Sequence, residues 1–304
     1  MIERVVVLGA GAIGSIYAAK LASSCDVTVV ARRDHVDAIN ADGLRLTGCE
    51  ELTVRVRAVT AVESIQPRTL VVLSTKVNGT RAAAAAISRQ VQDDTVILCV
   101  QNGLGSEDIV KDAVGGRCLV LRAITHFGAI FRTPGVIDFK VAGHTIIERS
   151  ERSGEIADLL TACGLEGRLS DAIKVDVWRK LIINCVINPI TSIIGSDVGG
   201  IASAGLDPLK QLVVEECLEV ARADGVVFEM DFLHMIADVF ASSRNIASMR
   251  QDLLKGRPTE IDHMNGAVVD LGRRFGIHCP VNAALVAIIK ALERSTTEDA
   301  EVRS

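Results

Sequence analysis

The chain has 304 residues, a formal net charge of −5 at pH 7, and 49% hydrophobic but only 3% aromatic residues. This length allows two domains with separate cores, which must be built mainly from aliphatic side chains. The basic residues are scattered, which argues against nucleic acid or a membrane as the partner and favours a small molecule. The eight cysteines form no CxxC pair, so we expect reduced thiols and a cytoplasmic protein.

In the first half of the sequence, β-branched runs alternate with helical segments. The expected strands are Val5–Leu8, Val27–Ala31, Leu70–Ser74, Val96–Val100 and Cys118–Thr125, and the expected helices between them are Gly14–Ala22, His35–Asn40, Thr80–Arg89 and Glu107–Val114. This alternation predicts βαβ units and a Rossmann-like, doubly wound parallel sheet, an α/β fold. We expect the strand-rich piece Gly128–Ile147 to form an antiparallel extension and Gly154–Cys163 to be the last helix of this domain.

The second half changes to helical periodicity with few strand candidates. The expected helices are Asp171–Asn188, Leu206–Asp224, Phe232–Leu254, Glu260–Phe275 and Val281–Leu292, with a frayed tail at Ser295–Ser304. We therefore predict two domains, a Rossmann-like domain over residues 1–170 and an all-helical domain over residues 171–304.

A glycine pattern, G-A-G-A-I-G, stands between the first predicted strand and the first predicted helix. The first glycine permits a tight turn, the second lets the backbone approach a pyrophosphate, and the third allows close packing of helix and strand. The alternative is a glycine-rich structural turn. We predict a dinucleotide site whose phosphates meet the backbone of Gly9, Gly11, Ala12, Ile13 and Gly14.

The choice of cofactor is read at the end of the second strand, where NAD enzymes usually carry an acidic residue. This chain has Ala31-Arg32-Arg33 instead, and a guanidinium pairs well with a 2′-phosphate. Lys76, after the third major strand, is a second candidate cation. Both could be solvated loop residues, but we predict NADPH as the cofactor, bound by Arg32 and Lys76.

The tripeptide Gln101-Asn102-Gly103 follows the strand Val96–Val100 at the same carboxyl edge of the predicted sheet. Asn-Gly is a common turn former and needs no further role. Its position in a doubly wound sheet favours a functional role, and we expect Asn102 to contact the cofactor or the substrate.

Residues 178–192, WRKLIINCVINPITS, place Lys180, Asn184 and Asn188 four apart in an otherwise apolar run. At 3.6 residues per turn the three side chains form one polar stripe on a helix. A buried lysine or amide is costly without partners, so the stripe is either solvated or a site.

This run, together with N-I-A-S-M-R-Q-D at residues 245–252 and P-T-E-I-D-H-M-N-G at residues 258–266, closely resembles the ketopantoate reductase family. The resemblance covers nearly the whole chain, including the glycine pattern, Arg32, Lys76 and Gln101-Asn102-Gly103. It implies NADPH-dependent reduction of ketopantoate to (R)-pantoate, a step toward pantothenate and coenzyme A.

The resemblance also implies roles for individual residues. Lys180 is expected to be the general acid and Glu260 its acidic partner, which also contacts the cofactor. Asn184, Asn188 and Ser248 are expected to bind substrate, with Asn102 near both ligands. The chemistry agrees, because a positioned ammonium stabilises the charge that hydride addition leaves on the keto oxygen and can donate a proton to it.

The chain departs from the family just after this stretch. The family commonly has an Asn-Gly pair that holds the substrate, whereas this chain has Ser196-Asp197-Val198. Reduction of a 2-keto acid is still expected, since Lys180 and Glu260 are present, but the identity of the acid is open. The alternatives are a paralogous reductase of another 2-keto acid and a non-catalytic NADPH-binding sensor. A homodimer is possible, and the histidines have no metal-binding spacing.

Overall fold

The computed structural model describes the backbone of residues 1–302 and the side chains of residues 1–295. The chain divides into two compact units. The first unit contains Met1–Gln101 and Gly105–Ile173, and the second contains Asn102–Leu104 and the chain from Lys174 onward. Among the described residues, no helix combines the length and the apolar character needed to span a bilayer.

The first unit is an α/β structure. Its elements are β1 (Arg4–Leu8), α1 (Ala12–Leu21), β2 (Asp26–Val30), α2 (Arg33–Asp42), β3 (Leu44–Gly48), β4 (Leu52–Val54), β5 (Arg57–Val59), β6 (Thr69–Leu73), a 3₁₀ turn (Val77–Gly79), α3 (Thr80–Ile87), β7 (Val96–Cys99), α4 (Ser106–Val114), β8 (Leu119–Thr125), β9 (Gly128–Thr133), β10 (Val136–Val141), β11 (Thr145–Glu148), α5 (Ser153–Ala162) and β12 (Gly167–Ser170). The main sheet has the strand order β12-β11-β8-β7-β6-β1-β2-β5 and is parallel except between β8 and β11.

The main sheet is covered by helices on both faces, which confirms the predicted doubly wound fold. Side chains alternate along each strand, so Val5 and Val7 of β1 enter the core beneath α1, α2 and α5. Val6 and Leu8 enter the opposite core, beneath α3 and α4. Burial on both faces explains why these strands are continuous apolar runs.

The expected antiparallel extension at Gly128–Ile147 is wrong for most of its length. The hairpin β9–β10 belongs to a separate four-stranded sheet of order β4-β3-β10-β9, and only β11 joins the main sheet. The hairpin pairs instead with β3, because Leu46 of β3 and Ile137 of β10 are register partners and fill the same core. The strands β3, β4, β5 and β12 were not predicted.

The second unit is helical. Its elements are α6 (Ile173–Ile193), two 3₁₀ turns (Val198–Ala202 and Ala204–Leu206), α7 (Asp207–Ala223), α8 (Phe232–Phe240), α9 (Ser248–Leu254), a third 3₁₀ turn (Ile261–His263), α10 (Asn265–Phe275) and α11 (Pro280–Val302). They surround one aliphatic core that includes the fully buried Trp178. The indole Nε1 of Trp178 donates to Asp224 Oδ2 at 2.8 Å, so its polar atom is satisfied.

Three helix predictions in the second unit need correction at their ends. α6 continues beyond Asn188 and passes through Pro189 to Ile193, although proline usually ends a helix. The expected helix Glu260–Phe275 begins only at Asn265, after a separate 3₁₀ turn. α11 extends to Val302, so the tail expected to fray is helical up to that residue, and the last two residues lie outside the described part of the chain.

The expected helix Phe232–Leu254 is two helices, α8 and α9, separated by residues 241–247. The backbone of this connection bonds to another segment instead of continuing a helix. The carbonyl oxygens of Ser243 and Asn245 accept from the N–H groups of Gly199 and Val198, each at 2.8 Å. Serine and asparagine have low helix propensity, which makes this break inexpensive.

Candidate functional site

The turn after β1 has the geometry that a dinucleotide requires. Gly9 has φ of +97°, and a Cβ there would lie 2.5 Å from Thr75 Cγ2. A Cβ on Gly14 would overlap Ser74 Oγ, the same hydroxyl that donates to the Gly9 carbonyl oxygen at 3.0 Å. A Cβ on Gly11 would meet nothing within 4 Å. Two glycines are therefore required by packing, while the middle one borders open space.

The first turn of α1 presents backbone donors beside that open space. Gly11 is the N-cap residue of α1, and no side chain caps the helix there. The Ser15 N–H already bonds to the Gly11 carbonyl oxygen at 3.0 Å. The preceding N–H groups, of Ala12, Ile13 and Gly14, have no partner within a helix, and the helix dipole adds positive potential. The arrangement suits a phosphate.

A buried histidine supports the glycine turn from behind. His35 Nδ1 accepts the N–H of Gly135 at 2.8 Å, which assigns the remaining ring proton to Nε2. Nε2 lies 3.3 Å from Ser15 Oγ, and that hydroxyl reaches the Ala10 carbonyl oxygen at 3.5 Å. Burial lowers the pKa of His35, while nearby Asp34 opposes the shift. A neutral ring is therefore part of the folded turn.

Two cationic side chains lie at the same edge of the sheet as the glycine turn. β1 pairs in parallel with both β2 and β6, so the carboxyl ends of the three strands are adjacent. Arg32 follows β2 and Lys76 follows β6, and both are exposed. The strand order also reverses at β1, which is where doubly wound sheets bind their ligands. The other two expected cofactor residues, Asn102 and Glu260, belong to the second unit.

In the second unit, one continuous helix carries the polar stripe. Lys180, Asn184 and Asn188 all lie on α6. Lys180 and Asn184 are half-buried, and Asn188 is 6% exposed. The Asn188 amide donates to Met264 Sδ at 3.4 Å, a weak acceptor. The stripe enters the protein along the helix, which excludes a purely solvated face.

Glu260 lies where the chain turns toward α10, and capping does not explain it. Thr259 is 1% exposed; its N–H and hydroxyl donate to Glu293 Oε1 at 2.8 and 2.6 Å. The Thr259 oxygen also accepts the N–H of Ile261 at 3.2 Å. The Glu260 side chain makes no capping bond and is half-buried. Thr259 thus secures the turn without the side chain of Glu260.

The loop Asn102–Leu104 packs against the segment that follows Glu260. Gly103 has φ of +85°, and a Cβ there would overlap the carbonyl oxygen of His263. Only glycine permits this approach. Packing therefore requires the glycine of the Asn-Gly pair, and the role of Asn102 in binding stays a prediction.

Ser248 and Asp197 lie on other elements of the second unit. Ser248 is the first residue of α9 and is exposed. Asp197 Oδ1 accepts the N–H of Gly200 at 3.2 Å and caps the 3₁₀ turn Val198–Ala202. Its Oδ2 lies 3.5 Å from Arg244 Nη1. The carboxylate that replaces the family's asparagine is therefore engaged by a backbone donor and a guanidinium.

Sequence reasoning overlooked Arg122, which lies in β8 and is 3% exposed. Its Nη2 donates to the Gln101 carbonyl oxygen at 2.8 Å and its Nη1 to Ser106 Oγ at 2.5 Å, so it holds both ends of the loop that carries Asn102. Arg122 also forms an ion pair with Glu107 at 3.6 Å. A single charged residue within the apolar run LVLRAIT was the available signal.

The fold defines the class as a Rossmann-like protein with an all-helical second unit. The sequence comparison identifies the family. The family model described as "Ketopantoate reductase PanE/ApbA" matches residues 5–152, and the one described as "Ketopantoate reductase PanE/ApbA C terminal" matches residues 172–293. The chain belongs to the ketopantoate reductase family, as its motifs predicted.

Three proteins are similar to this chain over nearly its whole length. A 2-dehydropantoate 2-reductase of Pyrococcus horikoshii is 33% identical over 95% of this chain and 97% of its own length. The crystal structure of a PanE/ApbA family ketopantoate reductase from Ralstonia eutropha JMP134 has a TM-score of 0.90 at 31% identity, over 96% and 99% of the two chains. A D-mandelate dehydrogenase with NADH and anilino(oxo)acetate has a TM-score of 0.86 at 25% identity, over 96% and 99%.

Proposed function

We propose that this protein is an NADPH-dependent 2-dehydropantoate 2-reductase that forms (R)-pantoate for pantothenate and coenzyme A synthesis. The carrying observation is the half-buried Lys180 aligned with Asn184 and Asn188 on one continuous helix of a family member. The reductase name of the 33% identical relative supports the same reaction. All eight cysteines are free thiols, which supports a cytoplasmic location.

The first unit would hold the dinucleotide. The open space at Gly11 and the uncapped N-terminus of α1 fit its pyrophosphate. Arg32 and Lys76 would pair with the 2′-phosphate, a role that argues for NADPH over NADH. When bound, the reduced nicotinamide supplies a hydride to the keto carbon.

The second unit would supply the proton and bind the acid. Lys180 would hold its proton at Nζ beside the keto oxygen, stabilise the negative charge that develops there and then donate the proton. Glu260 would orient the ammonium and favour its charged form. Asn184, Asn188, Ser248 and Asn102 offer amides and hydroxyls for the carboxylate and hydroxyl of the substrate.

Asp197 does not oppose this assignment. An unpaired carboxylate near the site would repel an acidic substrate. Here the Gly200 N–H donates to one of its oxygens and Arg244 forms an ion pair with the other, so an exposed guanidinium reduces its field. We assign Asp197 to the structure of its turn and not to recognition of the acid.

A second candidate is a reductase of another 2-keto acid, with NADH or NADPH. The observation that favours it is the similarity over nearly the whole chain to a D-mandelate dehydrogenase with NADH. The missing Asn-Gly pair points the same way, because specificity resides in such contacts.

The deciding experiment compares kcat/KM for ketopantoate with that for unsubstituted branched and for aromatic 2-keto acids, each with NADPH and with NADH. We expect the highest value with ketopantoate and NADPH. A higher value with an aromatic acid and NADH establishes the second candidate. Turnover of none of these acids, together with tight NADPH binding, would instead indicate a sensor.

A further inference from the structure

α6, the helix that carries Lys180, contains a proline in its interior. Pro189 has no N–H, so the carbonyl oxygen of Cys185, one helical turn earlier, lacks its usual donor. Both residues are buried, where water cannot easily replace the missing bond. A buried carbonyl without a partner is costly, so another donor is expected.

That donor comes from the start of α10. Asn265 Nδ2 donates to the Cys185 carbonyl oxygen at 3.0 Å. The same nitrogen donates to Asn282 Oδ1 at 2.9 Å. Asn265 is 0% exposed, so both bonds form out of water. A side chain from one helix therefore replaces the backbone donor that another helix lost to proline.

The chain of hydrogen bonds continues to a fixed anchor. Asn282 Nδ2 donates to Glu216 Oε2 at 2.7 Å, and Glu216 also accepts the N–H groups of Val281 and Asn282 at the start of α11. An ionised carboxylate can only accept, which fixes the orientation of the Asn282 amide. Asn265 must then turn its NH₂ group toward two acceptors, so the network has one arrangement.

The anchored carbonyl lies between two residues of the polar stripe along α6. Cys185 directly follows Asn184 and precedes Asn188 by three residues. The residue before Asn265 is Met264, whose sulfur accepts from Asn188. One junction between α6 and the start of α10 therefore holds the helix by its backbone and by the Asn188 side chain.

We propose that Asn265 is a positioning residue that compensates for Pro189 and sets the geometry of Lys180, Asn184 and Asn188. It does not touch the substrate and acts through the Cys185 carbonyl. Its effect on catalysis rests on the proposed function, whereas its effect on α6 does not.

The test is a double-mutant cycle between positions 265 and 189. Asn265→Leu keeps the number and branching of the side-chain heavy atoms and removes the donor, and Pro189→Ala returns a backbone N–H to Cys185. We expect Asn265→Leu to lower kcat/KM for the keto acid about tenfold or more through misplacement of the site, while the Kd of NADPH is unchanged. When Pro189→Ala is already present, Asn265→Leu should lower kcat/KM for the keto acid much less.

The matched control is Thr191→Val. Thr191 is also buried on α6, and its hydroxyl donates to the Ile187 carbonyl oxygen at 2.7 Å. Ile187 keeps its helical N–H donor when that hydroxyl is removed, so we expect nearly unchanged kinetics. Equal losses from Asn265→Leu in both backgrounds would overturn the proposal, because additive effects mean that Asn265 acts independently of Pro189.

Hydrogen exchange supplies a readout that does not depend on activity. The amide protons around Cys185 should exchange faster in Asn265→Leu and regain protection in Pro189→Ala/Asn265→Leu. If the wild-type protein reduces no keto acid, the proposed function fails while this comparison still decides the role of Asn265. If Asn265→Leu does not fold alone, folding of the double variant supports the proposal and failure of both contradicts it.

Discussion

The two units carry their candidate functional residues in different ways. The first unit uses backbone: a turn at Gly9, an open position at Gly11 and uncapped donors at the start of α1. The second unit uses side chains, with Lys180 on α6 and Glu260 at a turn supported by Thr259. A backbone site is formed by a short stretch of chain, so the spacing of its residues in the sequence reveals it. A side-chain site depends on how separate elements pack.

The largest expected effect separates proton donation from cofactor binding. Lys180→Met should lower kcat by about 10²- to 10⁴-fold, the usual contribution of general acid catalysis. The Kd of NADPH, measured by fluorescence titration, should not change because Lys180 is not among the residues expected to bind the dinucleotide. Lys174→Met, at the exposed start of α6, is the control and should retain activity. A fully active Lys180→Met would exclude the proposed mechanism.

The next prediction separates the two kinds of glycine in the first unit. Gly11→Ala should fold with an unchanged Tm, since its φ of −77° suits alanine and its Cβ meets nothing within 4 Å. It should weaken NADPH about 10- to 100-fold, because the added Cβ would occupy the space proposed for the pyrophosphate and one charge-assisted hydrogen bond would be lost.

Gly14→Ala is the matched comparison for that result. Its Cβ would lie 2.8 Å from the Gly9 carbonyl oxygen, so we expect a loss of about 1–3 kcal/mol in the free energy of unfolding. Denaturant titration measures this loss. Equal stability of both variants would contradict the assignment of Gly14 to packing.

A smaller effect is expected for the cation after β2. Arg32→Ala should weaken NADPH about tenfold more than NADH, because one charge-assisted hydrogen bond to the 2′-phosphate is lost. Arg33→Ala, at the neighbouring exposed position, should change both affinities little. Comparable weakening of NADPH and NADH by Arg32→Ala would argue against a 2′-phosphate contact.

The smallest effect concerns the support beneath the glycine turn. Burial lowers the pKa of His35 in the folded protein, so folding favours the neutral ring. Its contribution to stability is complete above the unfolded pKa of about 6.5 and is lost as the pH falls through the lower folded pKa. We expect a loss of about 1 kcal/mol across this range, the value of one hydrogen bond.

Unfolding midpoints between pH 5 and pH 8 test this prediction. His35→Gln cannot take up a proton at this position, so its midpoint should vary less with pH than that of the wild-type protein. The exposed His234 provides the control, and His234→Gln should keep the wild-type pH profile. If the midpoints of the wild-type protein and His35→Gln vary with pH in the same way, protonation of His35 does not cause the pH dependence of stability.

Most of the first unit could be predicted because its strands are buried on both faces and its glycines have a fixed spacing. The strands β3 and β4 escaped prediction because they are short and half-exposed, with few apolar residues to mark them. In the second unit, the break between α8 and α9 depends on bonds from residues 241–247 to Val198 and Gly199, which lie more than 40 residues away in the chain. No local pattern contains that information.

The residues of the candidate site also divide into those that the sequence could predict and those that depend on tertiary contacts. The spacing of Lys180, Asn184 and Asn188 placed them on one face of one helix, and the structure confirms that they share a continuous helix. The roles of His35 and Arg122 were not visible, since each is defined by partners distant in sequence, and the same holds for the ion pair of Asp197 with Arg244.

The sequence by itself determined the doubly wound sheet, the glycine turn, the helical second half and membership of the ketopantoate reductase family. These properties follow from periodicity, local turn geometry and motif spacing, which act over a few residues. Only the tertiary structure decided how α6 passes through Pro189. Satisfying a buried carbonyl required Asn265, 80 residues away from Cys185, and such a partner is fixed by packing and not by local propensity.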